Sequence, residues 1–169
     1  VVTREPSSTR AVRFPAAYGA PGGPDSLLRW SYVEERIRAA SNYWMTTVGP
    51  DARPHARPVD GVWVDGALCF GGSPETRWVR NLMANPSICV HLSSEAEAII
   101  LEGTAEHVTD PSHPLAAGSR AASKEKYPQY FSGNDSPFRP FWALRPTTAF
   151  AWTLAGFPRG ATRWRFENG

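Results

Sequence analysis

The chain has 169 residues, a charged fraction of 20% and a formal net charge of +2. That length suits a single domain that buries roughly 70% of its unfolded surface without disulfide staples, and the near-neutral balance excludes a broad nucleic-acid surface. The basic side chains are lopsided, 16 Arg against 2 Lys; codon bias accounts for most of them, but guanidinium forks also suit phosphate and carboxylate.

Cys69 and Cys89 sit in apolar runs without a C-x-x-C partner, so neither a zinc nor a redox motif is written here. The four His lack H-E-x-x-H spacing, which argues against a metal site. No apolar run approaches the roughly 18 residues of a membrane span. The first residues lack a signal-peptide apolar region, so the expected compartment is the cytoplasm. There is no G-x-G-x-x-G, no Walker loop and no G-x-S-x-G elbow.

Residues 1–24 are small, polar and Pro/Gly-rich and read as a flexible N-terminal arm before a single domain at 25–169. Asp25 and Ser26 offer an N-cap, and Leu27, Trp30, Val33 and Ile37 predict an amphipathic helix over 26–40. Residues 42–48 predict a strand, Gly49-Pro50-Asp51 a turn, and 53–64 a second strand. Asp65-Gly66 is a hairpin signal leading into a third strand at 67–71, which completes a meander. Ser73 as N-cap and Pro74 at the first helical position start a second helix, with Trp78, Val79, Leu82 and Met83 on its apolar face and Asn85-Pro86 as its stop. Strands follow at 88–92 and 99–108, with Gly103 as a bulge or close approach. A weak helix covers 111–126, a loop 126–140, and strands 147–154 and 162–166 close the chain. Short turns and few crossovers favour an antiparallel barrel of six or seven strands with flanking helices.

The segment Gly71 to Pro86 carries the chemistry. A helix start leaves N–H groups unpaired and its dipole favours anions. Glycines admit a ligand to the backbone. Ser73 and Thr76 add hydroxyls, and Arg77 and Arg80 share a face, a plausible phosphate or carboxylate cradle. Glu75 opposes it. In the preceding strand the odd positions, including His55, Arg57, Gly61 and Trp63, share one face. Gly61 there leaves room for a flat ring, and Trp63 is placed to flank it. The alternatives for both segments are a solvated, capped helix and ordinary barrel packing.

The runs Tyr43 to Val48, Arg53 to Val59, Asp65-Gly66, Thr76-Arg77 through Asn81-Leu82, Asn85-Pro86 and Glu102 to Ala105 together resemble the pyridoxamine-phosphate-oxidase-like split β-barrel flavoproteins and the related flavin/deazaflavin oxidoreductases. The resemblance is strongest over about residues 30–109 and is similar again at Pro146 to Phe150 and Thr162 to Phe166. It implies a six-stranded antiparallel split β-barrel of the FMN-binding type. It also implies a homodimer with FMN or F420 between the subunits, and a small organic substrate. The cofactor residues it implies are Arg57, Gly61, Trp63, Ser73, Thr76, Arg77, Trp78, Arg80 and Asn81. The family motif continues Ser/Thr-Arg-Lys, whereas this chain has Trp78 at the Lys position. Either Arg80 takes over, or binding is weaker, or the bound molecule differs. The substrate-phosphate motif of pyridoxamine-phosphate oxidases proper is not evident. The expected activity is hydride transfer by a flavin or deazaflavin, whose chemistry resides in the cofactor. Trp44, Trp63, Tyr127, Tyr130 and Phe131 are candidates for the substrate pocket, and Tyr127, Tyr130 or water for the proton donor. The competing expectation is a carrier that binds the cofactor, or haem, without turnover.

Overall fold

The computed structural model describes residues 5–131 and 137–167. Residues 1–4 of the expected arm and 132–136 of the expected loop therefore lie outside the described residues. The elements are β1 (Ser8–Ala11), α1 (Trp30–Ala39), β2 (Tyr43–Val48), β3 (Pro54–Val59), β4 (Val62–Val64), β5 (Ala67–Phe70), α2 (Arg77–Ala84), β6 (Ser87–His91), β7 (Glu97–Val108), α3 (Pro114–Lys126), β8 (Phe141–Thr153) and β9 (Thr162–Arg165).

The sheet is antiparallel throughout, in the order β1-β9-β8-β7-β6-β2-β3, with β5 pairing β8 and β4 pairing β5. One strand explains why it splits. β7 runs along the whole of β8 on one edge. On the other edge Trp142–Leu144 of β8 pairs β5, whereas Thr148–Ala151 pairs β9. The fork falls around Pro146, which has no N–H to donate, and beside a register shift between Glu102 and Gly103. A Cβ at Gly103 would lie 2.5 Å from Arg145 O, so the close approach expected of this glycine is real. The result is a mainly β, open, split-barrel sheet with three α-helices.

Two apolar clusters follow from strand alternation. Met45, Leu68, Val90, Leu101, Leu144 and Trp164 fill the barrel interior with Trp30, Val33 and Ile37 of α1 and Trp78, Val79 and Leu82 of α2. Val62, Cys69, Val108 and Phe141 face the other way and pack with Leu115 of α3 and with Tyr127.

The structure departs from the sequence reading in five places. Nine strands are present among the described residues. Part of the expected arm is β1, paired with β9; beyond it Phe14 packs on Trp152 and Phe157. α1 begins at Trp30 because Leu28 N–H is drawn to Thr162 Oγ1 at 2.9 Å and Leu27 and Arg29 are extended, which separates the helix from a 3-10 turn at Pro24–Ser26. α2 begins at Arg77 with Thr76 as its N-cap residue, because Ser73 O accepts from both Thr76 N and Thr76 Oγ1 and closes a turn ahead of the helix. The span 53–64 is two strands, not one arm of a three-strand meander: β3 pairs β2, β4 pairs β5, and the chain breaks at Asp60-Gly61. The Asp65-Gly66 hairpin has positive φ at both residues, 46° and 73°, as a type I′ turn requires.

Candidate functional site

The break between β3 and β4 is built by residues far away in sequence. Gly61 N–H donates to Tyr127 Oη at 3.0 Å, and Lys126 Nζ donates to Gly61 O at 2.9 Å and to Tyr43 Oη at 2.9 Å. Tyr43 Oη in turn donates to Ile37 O at 2.6 Å. Tyr127 Oη lies 2.9 Å from both Ser41 O and Gly61 O, to either of which it can donate. Backbone groups that a continuous strand would pair in its ladder are thus satisfied by two side chains at the end of α3. Burial lowers the Lys126 ammonium below the ordinary lysine value, while Asp60 works against that shift.

This break forms part of a groove of about 1190 Å³. One wall is Gly71 to Pro74 with Trp78, Val79 and Met83 of α2. The facing residues come from α3, including Ser119, Arg120 and Ser123, and aromatic side chains (Tyr127, Tyr130, Phe131, Phe138, Phe141, Trp142) complete the lining. His107 lies flat on Trp142 in this lining, with ring centroids 4.5 Å apart and planes at 15°. Cys69 lines the same groove as a free thiol that burial pushes up to about 12.

A cationic group lies at the start of α2. Partial burial first, then the charges of Arg77 and Arg57, hold His55 below the ordinary histidine value, which puts all three side chains within electrostatic reach. Neither Arg57 nor Arg77 makes an ion pair among the described residues. Glu75 falls before the helix, so α2 has no acidic residue in its first turn, and the Thr76 side chain does not cap it. Two guanidinium groups without an ion pair, each close enough to act on His55, and a helix start without a side-chain cap favour an anion.

The sequence-predicted residues divide accordingly. Gly61, Ser73 and Trp78 line the groove. Arg57 and Arg77 form the cationic group outside that lining, with half-buried Thr76 next to Arg77 in the chain. Arg80 is engaged elsewhere, donating to Glu75 O at 2.6 Å. Asn81 is buried and ties α2 to β2 through Thr47 Oγ1 at 3.0 Å. Trp63 turns into the barrel interior, where its Nε1 donates to Glu34 Oε1 at 2.9 Å and its ring meets Trp30. Gly61 is buried too, and a Cβ there would meet Cys69 O at 3.0 Å and Tyr43 Cδ2 at 3.3 Å, so its free face is occupied by protein. At Trp78 the indole is 7% exposed and packs against Phe70 and Gly72; a Cβ at Gly72 would lie 2.0 Å from Trp78 Cζ2. Sequence reasoning missed Asp60, whose Oδ2 accepts from Tyr130 Oη at 2.7 Å in the groove. It also missed Lys126; its rarity as one of two Lys was the available signal. Trp44 stands outside the groove and stacks on His91 at 6.4 Å and 13°. No cluster of metal-ligating side chains exists among the described residues, and no described helix is long and apolar enough to cross a membrane.

No curated protein matches the chain in sequence. Solved structures do match in fold. A haem-binding protein from Mycobacterium smegmatis superposes with a TM-score of 0.59 at 23% identity, over 75% of this chain and 55% of its own. An F420 reductase superposes with a TM-score of 0.52 at 20% identity, over 69% and 94%. The haem storage protein HutZ from Vibrio cholerae does so with a TM-score of 0.53 at 16% identity, over 82% and 90%. At these identities the likeness is one of fold. The sequence profile of the pyridoxamine 5'-phosphate oxidase family, by contrast, matches residues 32–153, from within α1 to the end of β8. With the forked antiparallel sheet in the same span, this makes the chain a member of the pyridoxamine 5'-phosphate oxidase family.

Proposed function

We propose that the protein is a flavin- or deazaflavin-dependent oxidoreductase that binds FMN or F420 and acts on a small organic substrate. The observation that carries this reading is the pairing of an aromatic-walled groove of about 1190 Å³ with an unpaired cationic group at the start of α2. Such a cofactor has a flat ring and an anionic tail, and the residues present fit both. Arg57 and Arg77 would hold the phosphate with the first N–H groups of α2. Trp78, Val79 and Phe70 would exclude water from one side of the ring. The bound cofactor would supply the hydride chemistry itself. The Lys of the family motif is replaced by a buried indole and Arg80 is turned to Glu75 O, so the phosphate-binding charge in this chain comes from β3 and the first residue of α2.

The reading includes a second copy of the chain. Strand registers place Trp44, His91, Ile100, Phe150 and Arg163 in one row across the outward face of the sheet. The apolar side chains of this row, Trp44, Ile100 and Phe150, suit an isologous contact. Both cysteines are free, which accords with the reducing cytosol as the compartment.

A second reading is a carrier that holds haem, or the cofactor, without turnover. It is favoured by Trp78 and by the exposed His107 imidazole in the groove, a common kind of axial ligand. Titration with FMN, F420 and haemin separates the readings. Saturable perturbation of the FMN or F420 spectrum, followed by turnover with quinone or enone acceptors, supports the oxidoreductase. A haemin Soret shift lost in His107→Ala, with no response to FMN or F420, replaces it by the carrier.

A further inference from the structure

We infer that Asp60, oriented by Tyr130, is the specificity-determining acceptor of the groove, and that it selects flat aromatic substrates bearing a hydroxyl or amino donor. The inference deepens the oxidoreductase reading and rests on the Asp60–Tyr130 part of the groove, rather than the Phe70–Trp78–Val79 wall assigned to the ring, being its substrate side.

The two tyrosines of this region have different fates. Tyr127 is 9% exposed and its hydroxyl is committed to Gly61 N–H on one side and to the Ser41 and Gly61 carbonyls on the other. It is therefore not available to a ligand. Tyr130 is 63% exposed, stacks on Tyr127 at 5.9 Å and 30°, and gives its one hydroxyl proton to Asp60 Oδ2. The Gln129 side chain faces the same hydroxyl. A phenol whose proton is spent on a carboxylate does not donate to a ligand. Asp60 Oδ1, in contrast, has no hydrogen bond among the described residues, and Asp60 is exposed in the groove.

The result is a carboxylate in the groove lining at the strand break, with one oxygen held by Tyr130 and the other without a hydrogen bond among the described residues. An ionised carboxylate only accepts hydrogen bonds. A substrate that places an O–H or N–H there gains a charge-assisted bond, whereas one presenting an ether or carbonyl oxygen meets like charge. Arg120 and Arg139 also line the groove, so a matched pair of ligands is needed to isolate Asp60.

The test uses the full chain without cofactor and two probes, 2-naphthol and 2-methoxynaphthalene, measured by isothermal titration calorimetry. These share a ring and an oxygen and differ in the donor. The expected result is about tenfold tighter binding of 2-naphthol, the low end for a hydrogen bond to a charged group. Asp60→Ala removes the preference, Asp60→Asn reduces it severalfold, and Tyr130→Phe leaves an intermediate value because the carboxylate is no longer held. Equal binding of both probes to the unmodified chain, a preference that survives Asp60→Ala, or failure of both probes to bind overturns the inference. Cofactor binding is measured separately, so loss of the probe preference with intact FMN or F420 binding rejects this assignment alone.

Discussion

Tyr127→Phe isolates the interaction that shapes the groove. The substitution keeps the ring, which packs in the cluster beneath α3, and deletes only the hydroxyl. Three backbone groups meet that hydroxyl, and their fates differ. Gly61 O keeps its second donor, Lys126 Nζ at 2.9 Å. Ser41 is exposed, so water replaces the lost donor to its carbonyl. Gly61 N–H, in a buried residue, has no other acceptor among its described hydrogen bonds. One orphaned buried donor costs about 1–3 kcal/mol. In a chain of this size each kcal/mol moves the melting temperature by roughly 2–4 °C. Urea unfolding followed by far-UV circular dichroism, with the m-value unchanged, is the assay. Tyr127→Ala also loses the ring and is expected to cost about 3–5 kcal/mol. If Tyr127→Phe lies within about 0.5 kcal/mol of the unmodified chain, the strand break is not held by this hydroxyl and the account of the groove floor is wrong.

Three other outcomes are expected. Gly72→Ala forces a methyl into the Trp78 indole and is expected to destabilise by about 1–3 kcal/mol with a red shift of tryptophan emission; Gly71→Ala, whose Cβ would meet nothing within 4 Å, is the neutral control. Because burial pushes the Cys69 thiol up to about 12 from an ordinary 9.0, its contribution is complete below about pH 8.5 and is lost as pH rises towards 12, since the unfolded chain deprotonates first. Buried Tyr43, also raised, acts in the same direction, so Cys69→Ala flattens the alkaline limb in part, and an unchanged limb refutes the Cys69 share. Trp44→Glu puts a charge into the outward apolar row and is expected to convert a dimer to a monomer in sedimentation velocity, with the denaturation midpoint of the monomer preserved.

What could be read from the sequence was local. Asp65-Gly66 needs only its own two residues to specify the hairpin, and Gly103 marks a bulge because a side chain cannot fit between paired strands. Helix α2 and its stop at Asn85-Pro86 follow from spacing alone. What depended on distant partners was not readable. Asp60-Gly61 looks like the middle of a strand until Lys126 and Tyr127 take its backbone groups. Trp63 looks like a ring-binding residue until Glu34 claims its indole N–H. Asn81 looks like a ligand contact until it is found buried against Thr47. Arg57 and Arg77 are both named from the sequence, and the charges of both bear on His55, whereas Arg80, expected beside Arg77 on the helix face, is drawn away by Glu75 O.

Arg57 and Arg77 are proposed to hold an anionic flat cofactor on this chain. The direct measurement is calorimetric titration of FMN and F420 into the unmodified chain and into Arg57→Ala/Arg77→Ala, with stability checked in parallel. Saturable binding of one of them is expected, weakened by at least about 10- to 100-fold in the double variant, the scale of a single lost charge-assisted hydrogen bond being the lower bound. Absence of saturable binding to both cofactors, or equal affinity in the folded variant, contradicts it.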